Sequence, residues 1–227
     1  MNSSRKGDRT VLDLLAWLVS LPVNPLIIRL WDKLWRKVRW HGYKSRFGSL
    51  GDGSYIEPPW MITNPANIFI GSNFSALSRL RMETFEEYLG EKFTPKILIG
   101  DNVAFNNDCH IGCINRVEIG NNVLGASRIY ISDHYHGRIE CADLEHIPTE
   151  RRLFSKGPVI IKENVWIGEG VAIMPGVTIG MNAIIGANSV VTKDIPANAV
   201  AAGSPAKVVR SLTSDREHPA VNGKLYE

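Results

Sequence analysis

Residues 159–194 read VIIKEN VWIGEG VAIMPG VTIGMN AIIGAN SVVTKD, which is six consecutive segments of six residues. The third residue of every segment is aliphatic, and these residues are Ile161, Ile167, Ile173, Ile179, Ile185 and Val191. An α-helix turns by about 600° over six residues, which would spread these side chains around its circumference. The period of six therefore excludes a single continuous helix over this stretch.

The same period fits short strands separated by bends, with three segments closing one triangular coil. Every third-position side chain then points to the axis, so that Ile161 stacks under Ile179 and Ile167 under Ile185. Neighbouring coils would lie about 4.8 Å apart and pair through parallel hydrogen bonds. Residues that suit positive φ or a crowded backbone occupy the fourth and sixth positions: Gly168, Gly180, Gly186, Asn164, Asn182 and Asn188. We therefore predict an all-β solenoid, a parallel β-helix.

The period is also present earlier in the chain. Residues 97–114 place Ile99, Phe105 and Ile111 at third positions, and after a two-residue insertion at Asn115 and Arg116 the next three are Ile119, Gly125 and Ile131. A weaker copy over residues 68–79 suggests that the β-helix begins near Tyr55. Residues 80–96 and 135–157 break the period and are predicted to be loops. The second loop is long enough to suggest a function.

The predicted organisation is an N-terminal helical segment over residues 1–50, the repeat domain over residues 51–210, and a tail over residues 211–227. Residues 10–31 are interrupted by a charge and two prolines, which disfavours both a cleavable signal and a membrane span. Further on, five apolar residues recur at helical spacing between five cations: Leu30, Trp31, Leu34, Trp35 and Val38 alternate with Arg29, Lys33, Arg36, Lys37 and Arg39. This amphipathic pattern is typical of a helix in a membrane interface. The alternative is a helix that packs on the first coil or on a neighbouring subunit.

Composition narrows the class of function. The formal net charge is only +3, which does not indicate nucleic acid as a partner. The three cysteines, Cys109, Cys113 and Cys141, form neither a CxxC motif nor an even set, so we expect free thiols, no disulfide and no metal site.

Segments with an aliphatic residue, a glycine and a small residue resemble those of the bacterial hexapeptide-repeat acyltransferases. The resemblance covers about residues 55–210, and residues 163–210 are especially similar to the galactoside, maltose and polysaccharide O-acetyltransferase branch. It implies a left-handed parallel β-helix, a homotrimer with active sites between subunits, and acetyl-CoA as the co-substrate.

Acetyl transfer to an alcohol needs a base for the hydroxyl proton, and a neutral imidazole suits that task at physiological pH. In the family the catalytic histidine precedes a protruding loop, and His134 in the motif ISDHYHG matches that position. His136 is the alternative base. Asp133 either orients His134 or bonds locally to the turn. His110 is the second residue of its segment and is interpreted as a surface residue.

The resemblance also implies binding residues. Asn106 matches an asparagine that contacts the acceptor sugar, although the repeat places it on a different face of the triangle from His134. Positions that match the coenzyme A groove are Trp166, Ala187, Thr192, Lys193, Lys207 and Arg210. Cations suit the nucleotide phosphates, for which a lysine offers a point charge and an arginine a bidentate fork.

Four functions follow as hypotheses. The first is an acetyl-CoA-dependent O-acetyltransferase that modifies a sugar of a surface polysaccharide, such as O-antigen or capsule, or its lipid-linked precursor. For this function we expect a cytoplasmic protein, peripheral on the inner membrane. The second is an N-acetyltransferase of a nucleotide-linked amino sugar. The third is a zinc carbonic anhydrase of the same fold, which would need three converging imidazoles from the set His110, His134 and His136. The fourth is a scaffold without catalytic activity.

Overall fold

A computed structural model describes residues 12–14, 16–17, 25–138 and 140–212. The chain divides into two compact units, residues 1–43 and residues 44–227. The main element of the first unit is α1 (Pro25–Lys44), a 20-residue helix in which Trp40 is buried. None of the described helices has both the length and the apolar character needed to cross a membrane.

The second unit contains three long sheets, and their strands are numbered in chain order. The first sheet consists of β1 (Ser49–Leu50), β4 (Ile68–Ile70), β9 (Lys96–Ile99), β12 (Arg116–Ile119), β17 (Val159–Ile161) and β20 (Thr178–Ile179). The second sheet consists of β2 (Tyr55–Ile56), β5 (Ser75–Ala76), β10 (Ala104–Phe105), β13 (Leu124–Gly125), β18 (Trp166–Ile167), β21 (Ile184–Ile185), β23 (Ala199–Gly203) and β24 (Ala206–Ser211). The third sheet consists of β3 (Met61–Thr63), β6 (Arg81–Thr84), β11 (His110–Cys113), β14 (Tyr130–Ser132), β19 (Ala172–Ile173) and β22 (Val190–Val191).

Successive strands pass from the first sheet to the second, to the third and back again. The chain therefore winds into a triangular solenoid, with six full coils in the described residues. Strands pair in parallel within each sheet, except that β24 folds back antiparallel on β23. This is the predicted parallel β-helix.

The core contains the predicted third-position side chains, which are buried, together with first-position residues such as Val159 and Val165. Ile161 pairs with Ile179 and Ile167 with Ile185, as the period predicts. Gly125 occupies a third position but has no side chain. It pairs with Phe105, and a Cβ on Gly125 would overlap the Phe105 ring. Its missing side chain makes room for the phenylalanine.

One corner of the solenoid is built from asparagines in the left-handed conformation, with φ between 54° and 59°. Each side-chain amide in this row donates a hydrogen bond to the side-chain oxygen of the next. The row is Asn73, Asn102, Asn122, Asn164, Asn182 and Asn198. Asparagine tolerates this backbone conformation better than most residues do, which explains why it recurs at the turns.

The structure corrects several predicted boundaries. The first strand of the solenoid is β1, before Tyr55 and before residue 51, because residues 49–50 already pair with β4. Residues 81–84 form β6 and are not a loop, since Met82 occupies a third position and is fully buried. The true excursion covers residues 85–95 and contains a hairpin of β7 (Glu87–Tyr88) and β8 (Glu91–Lys92). Of the predicted tail, Ser211 ends β24, and residues 213–227 lie outside the described residues.

The long loop after residue 134 has its own structure. Strand β15 (Tyr135–His136) pairs antiparallel with β16 (Leu153–Phe154) at its base. Two 3-10 helices, Cys141–Glu145 and Pro148–Glu150, lie between these strands. The predicted irregular loop is therefore a closed excursion with a strand pair at its base.

Both excursions and the two-residue insertion lie at the same corner of the triangle, where the chain passes from the third sheet to the first. The first excursion follows β6, the insertion follows β11 and the second excursion follows β14. Because β6, β11 and β14 are neighbours in the third sheet, the three departures from the period are stacked on one another. This corner carries the candidate site.

Candidate active site

His134 lies at this corner, two residues after the end of β14. Its side chain is only 10% exposed, and its Nδ1 lies 2.9 Å from Oδ1 of Asp133. A Cβ on Gly112 would lie 3.3 Å from Cε1 of His134, so that glycine leaves space for the ring. The ring also makes an edge contact with Phe85, with 5.6 Å between the centroids.

Asp133 is fully buried, and several hydrogen-bond donors surround its carboxylate. Its carboxylate accepts hydrogen bonds from the backbone N–H groups of Ile114, at 2.9 Å, and of Asn115, at 2.8 Å. The Cys113 thiol donates a third, at 3.3 Å. Burial and the nearby carboxylate raise the pKa of Cys113, so this group remains a thiol and a donor. Asp133 therefore both orients His134 and bonds to the local backbone, which were the two alternatives from the sequence.

These contacts define the tautomer of His134. A carboxyl group is ordinarily ionised at neutral pH and then only accepts hydrogen bonds, so Nδ1 of His134 carries the proton. Its Nε2 has no hydrogen-bond partner among the described residues. Every buried side-chain nitrogen in these residues has a hydrogen-bond partner. Because Nε2 has none, it is not buried and is open to solvent. The ring thus presents a basic lone pair outward, as a general base requires.

His136, the alternative base, lies in β15 and is exposed. Its ring makes an edge contact with Tyr88, with 5.6 Å between the centroids, and within the described ranges no carboxylate holds it. Without such a partner its orientation and tautomer are not fixed. The geometry therefore favours His134 as the base.

The prediction that His110 points outward is confirmed, since its side chain is 28% exposed. The sequence did not show that the ring is also held in place, because its Nε2 lies 3.0 Å from Oε2 of the buried Glu83. Glu83 was missed because it lies in the segment taken for a loop. The strand β6 pairs with β11 and brings the two residues together across 27 positions of sequence. The signal that could have identified this strand is Met82, a bulky apolar residue at a third position.

Asn106 follows β10 in the second sheet and is exposed. It makes no contact with His134 among the described residues, which agrees with the expectation that the two lie on different faces. One chain alone does not bring them together.

The six residues predicted for coenzyme A are all exposed. Trp166 and Arg210 lie in one row across the second sheet, because Trp166 pairs with Ile184, Ile184 with Val200, and Val200 with Arg210. Lys207 pairs with Ala202, two residues after Val200. Thr192 and Lys193 follow β22 of the third sheet, and Ala187 follows β21. Within one chain the row of Trp166 and Arg210 therefore lies on a different sheet from β14, the strand that precedes His134.

A cleft of about 790 Å³ separates the two excursions. Its lining includes Phe93 from the first excursion, Asn115 from the insertion, and Arg138, Arg152 and Phe154 from the second. The hydroxyl of Tyr88 donates to the carbonyl oxygen of Thr149 at 2.9 Å and so ties the excursions together. Polar groups beside aromatic rings can bind a sugar. As for metals, the described part of the chain holds no group of three His, Cys, Asp or Glu side chains arranged as ligands.

Comparison with known proteins agrees with this architecture. The family described as "Bacterial transferase hexapeptide (six repeats)" matches residues 158–193. A protein of Escherichia coli (strain K12) named "Putative lipopolysaccharide biosynthesis O-acetyl transferase WbbJ" is 38% identical over 163 residues, which are 70% of this chain and 80% of that protein. The chain therefore belongs to the hexapeptide-repeat acetyltransferases. It is an enzyme whose fold is the left-handed parallel β-helix.

Two other relatives make the resemblance more specific. The galactoside O-acetyltransferase of the same Escherichia coli strain is 34% identical over 180 residues, which are 77% of this chain and 69% of that protein. The crystal structure of a maltose O-acetyltransferase from Clostridium difficile 630 is 33% identical with a TM-score of 0.51, and the match covers 78% of this chain and 75% of that one. The predicted family and class of enzyme are confirmed.

We predict that His134→Ala lowers kcat for acetyl transfer by about 10²- to 10⁴-fold, because the variant has no positioned base. The transfer rate is measured by release of free thiol from acetyl-CoA, with circular dichroism as the check on folding. His136→Ala is the matched control and should retain activity within about threefold. A large loss in His136→Ala with full activity in His134→Ala would reverse the assignment of the base.

Proposed function

We propose that this enzyme transfers an acetyl group from acetyl-CoA to a hydroxyl of a sugar in a surface polysaccharide or in its lipid-linked precursor. The observation that carries the proposal is the solvent-facing Nε2 of His134, whose opposite nitrogen is bound by Asp133. The relative named for lipopolysaccharide biosynthesis supports a surface glycan as the destination. The relative named galactoside O-acetyltransferase supports a sugar hydroxyl as the acceptor group.

The geometry accounts for the proton movements of such a reaction. Acetyl-CoA supplies an activated acetyl group as a thioester. Nε2 of His134 takes the proton from the acceptor hydroxyl as the oxygen forms its bond to the carbonyl carbon. Asp133 stabilises the resulting imidazolium through the Nδ1–H bond. When the carbon–sulfur bond breaks, Nε2 returns the proton to the sulfur of the leaving thiol, and the ring is neutral again.

The residues for the donor and the acceptor fit a site shared between subunits. Trp166 and Arg210 offer an aromatic surface and a cation in one row, while His134 lies at a corner bounded by two other sheets. A homotrimer in which the second sheet of one subunit faces this corner of the next would bring these groups together. Ala187, Thr192, Lys193 and Lys207 would then contact coenzyme A, and Asn106 would contact the acceptor. The cleft between the excursions would receive the rest of the glycan.

The test of this function is the chemistry of the product. Cells with and without the protein are compared by mass spectrometry of their surface glycan. We expect the glycan to carry acetyl groups only when the protein is present with His134 intact. Mild alkali should remove these groups, because it hydrolyses esters and leaves amides. Acetyl groups that resist alkali would support transfer to the amine of an amino sugar. A glycan unchanged by the protein would contradict the proposal.

A membrane-surface role for α1 belongs to the same proposal. At 100° per residue the helix places Leu30, Trp31, Leu34, Trp35 and Val38 on one side, and each of them is about half exposed or more. The helix contains six Lys or Arg residues and a single acidic one, Asp32. An apolar face flanked by cations suits the interface of an anionic bilayer. We infer that this helix holds the enzyme near lipid-linked glycans on the cytoplasmic face of the inner membrane.

We predict that Trp31→Ser/Trp35→Ser in the full chain weakens binding to vesicles containing phosphatidylglycerol by about tenfold or more, because two large apolar side chains no longer enter the interface. Sedimentation with the vesicles measures this binding. Leu89→Ser, which removes an exposed apolar side chain of the first excursion, is the control and should bind as wild type does. Binding unaffected by the double substitution would favour a helix that packs on protein.

A further inference from the structure

The outer face of the third sheet carries a second imidazole near His134. Strands β6, β11 and β14 pair so that Arg81, His110 and Tyr130 are in register, and so are Glu83 and Gly112. Ile111, between His110 and Gly112, is buried in the core. Because side chains alternate along a strand, His110 and Gly112 face outward. His110 therefore lies on the outer face of the sheet from which His134 emerges.

A buried carboxylate fixes the orientation of His110. Glu83 has a side chain only 5% exposed, and it forms an ion pair with Arg81 and a hydrogen bond with Nε2 of His110. The ring of His110 also makes an edge contact with Tyr130, with 5.3 Å between the centroids. The imidazole is thus held on two sides, by Glu83 and by Tyr130.

The protonation state of His110 follows from its surroundings. Burial, and after it the charge of Arg81, lower the pKa of His110, so the ring is neutral at physiological pH. An ionised Glu83 only accepts hydrogen bonds, so the ring proton is on Nε2 and Nδ1 carries a lone pair. Nδ1 has no hydrogen-bond partner among the described residues. Every buried side-chain nitrogen in those residues has such a partner, so Nδ1 is not buried and is open to solvent. His110 offers an acceptor outward, as His134 does.

Gly112 brings the two rings close to each other. A Cβ at this position would lie 3.3 Å from Cε1 of His134 and 3.8 Å from Nε2 of His110, so both rings border the same small space. Each ring has its own carboxylate, Asp133 or Glu83, and neither carboxylate serves both. Two imidazoles that border one space, each with an acceptor nitrogen open to solvent, suit a ligand with more than one hydroxyl, and a sugar ring is such a ligand.

We propose that His110 binds the acceptor by taking a hydrogen bond at Nδ1 from a second hydroxyl of the sugar ring whose first hydroxyl His134 deprotonates. This inference rests on the proposed function and adds a requirement to it. The acceptor must have a second free hydroxyl on the same ring. A ring without that hydroxyl leaves the acceptor nitrogen of His110 unpaired when the sugar covers it, which weakens binding of the analogue.

The experiment pairs enzyme variants with deoxy sugars. A set of methyl hexopyranosides serves as the probe, and the one that the wild type acetylates best is compared with its monodeoxy analogues by kcat/KM. We expect that one analogue which retains the acetylated hydroxyl has a kcat/KM about tenfold lower than the parent sugar, the effect of one lost hydrogen bond.

His110→Gln is the informative variant. Its amide nitrogen can replace Nε2 and donate to Glu83, while nothing replaces Nδ1, so we expect a folded enzyme whose parent-to-deoxy ratio falls from about ten to about one. His110→Asn is the matched control, because its side-chain oxygen lies where Nδ1 was and should keep most of the ratio. The thermal midpoint of each variant separates these effects from a loss of folding.

The outcomes separate the two proposals. If the wild type acetylates the parent sugar and the ratio is the same in wild type and in His110→Gln, the assignment of His110 is overturned and the proposed function stands. If every deoxy analogue that retains the acetylated hydroxyl reacts as well as its parent, the assignment is overturned as well. If the wild type acetylates none of the glycosides and the surface glycan is also unchanged by the protein, transfer to a sugar hydroxyl is contradicted, and the assignment of His110 falls with it.

Discussion

The buried carboxylate of Asp133 connects the irregular corner of the solenoid to the imidazole of His134, the proposed base. A charge without solvent is costly to bury unless hydrogen bonds replace its water. Here the replacement comes from two backbone N–H groups, a thiol and the Nδ1–H of His134. Ile114 and Asn115, which supply the N–H groups, are the two residues between β11 and β12. The bend at which the six-residue period is interrupted thus provides the donors that keep Asp133 in place.

The regular part of the β-helix determines where this carboxylate lies. Stacked aliphatic residues and the row of asparagines fix the coils relative to each other, so the corner residues of neighbouring coils meet in a defined register. A site on such a scaffold is oriented before the substrate arrives, which is what positioned acid–base catalysis needs. The excursions at the same corner vary the surroundings of the base without disturbing the core. Acceptor specificity can therefore change in the loops while His134 and its carboxylate remain in place.

Much of this architecture is predictable from the sequence because the repeat is local. The period of six gives the strands, the inward residues and the stacking of Ile161 under Ile179, and asparagine at a bend indicates a left-handed turn. The strand β6 was missed because its segment lacks the glycine and asparagine that mark the others, even though Met82 occupies the core position. The structure of the second excursion was missed because no repeat describes it.

The sequence suggests the histidine that we propose as the base, but it reveals less of what surrounds that histidine. A histidine before a long excursion is visible in the sequence, whereas the contact between Glu83 and His110 depends on the length of the first excursion and on the register of β6 with β11. The two possible roles of Asp133 were both visible, and the structure combines them because Oδ1 accepts hydrogen bonds from both Nδ1 of His134 and the backbone N–H of Ile114. Contacts that a chain makes with a neighbouring subunit follow from neither the period nor the fold of a single chain.

We propose that Asp133 fixes the tautomer in which Nε2 of His134 is the base, and the decisive measurement is kcat of the Asp133→Asn variant. An asparagine amide at this position can donate to Nδ1 and so move the ring proton to Nε2, where it blocks the reaction. We expect kcat of the folded variant to fall on the order of 10²- to 10⁴-fold. A folded Asp133→Asn enzyme with kcat within about threefold of the wild type would contradict it.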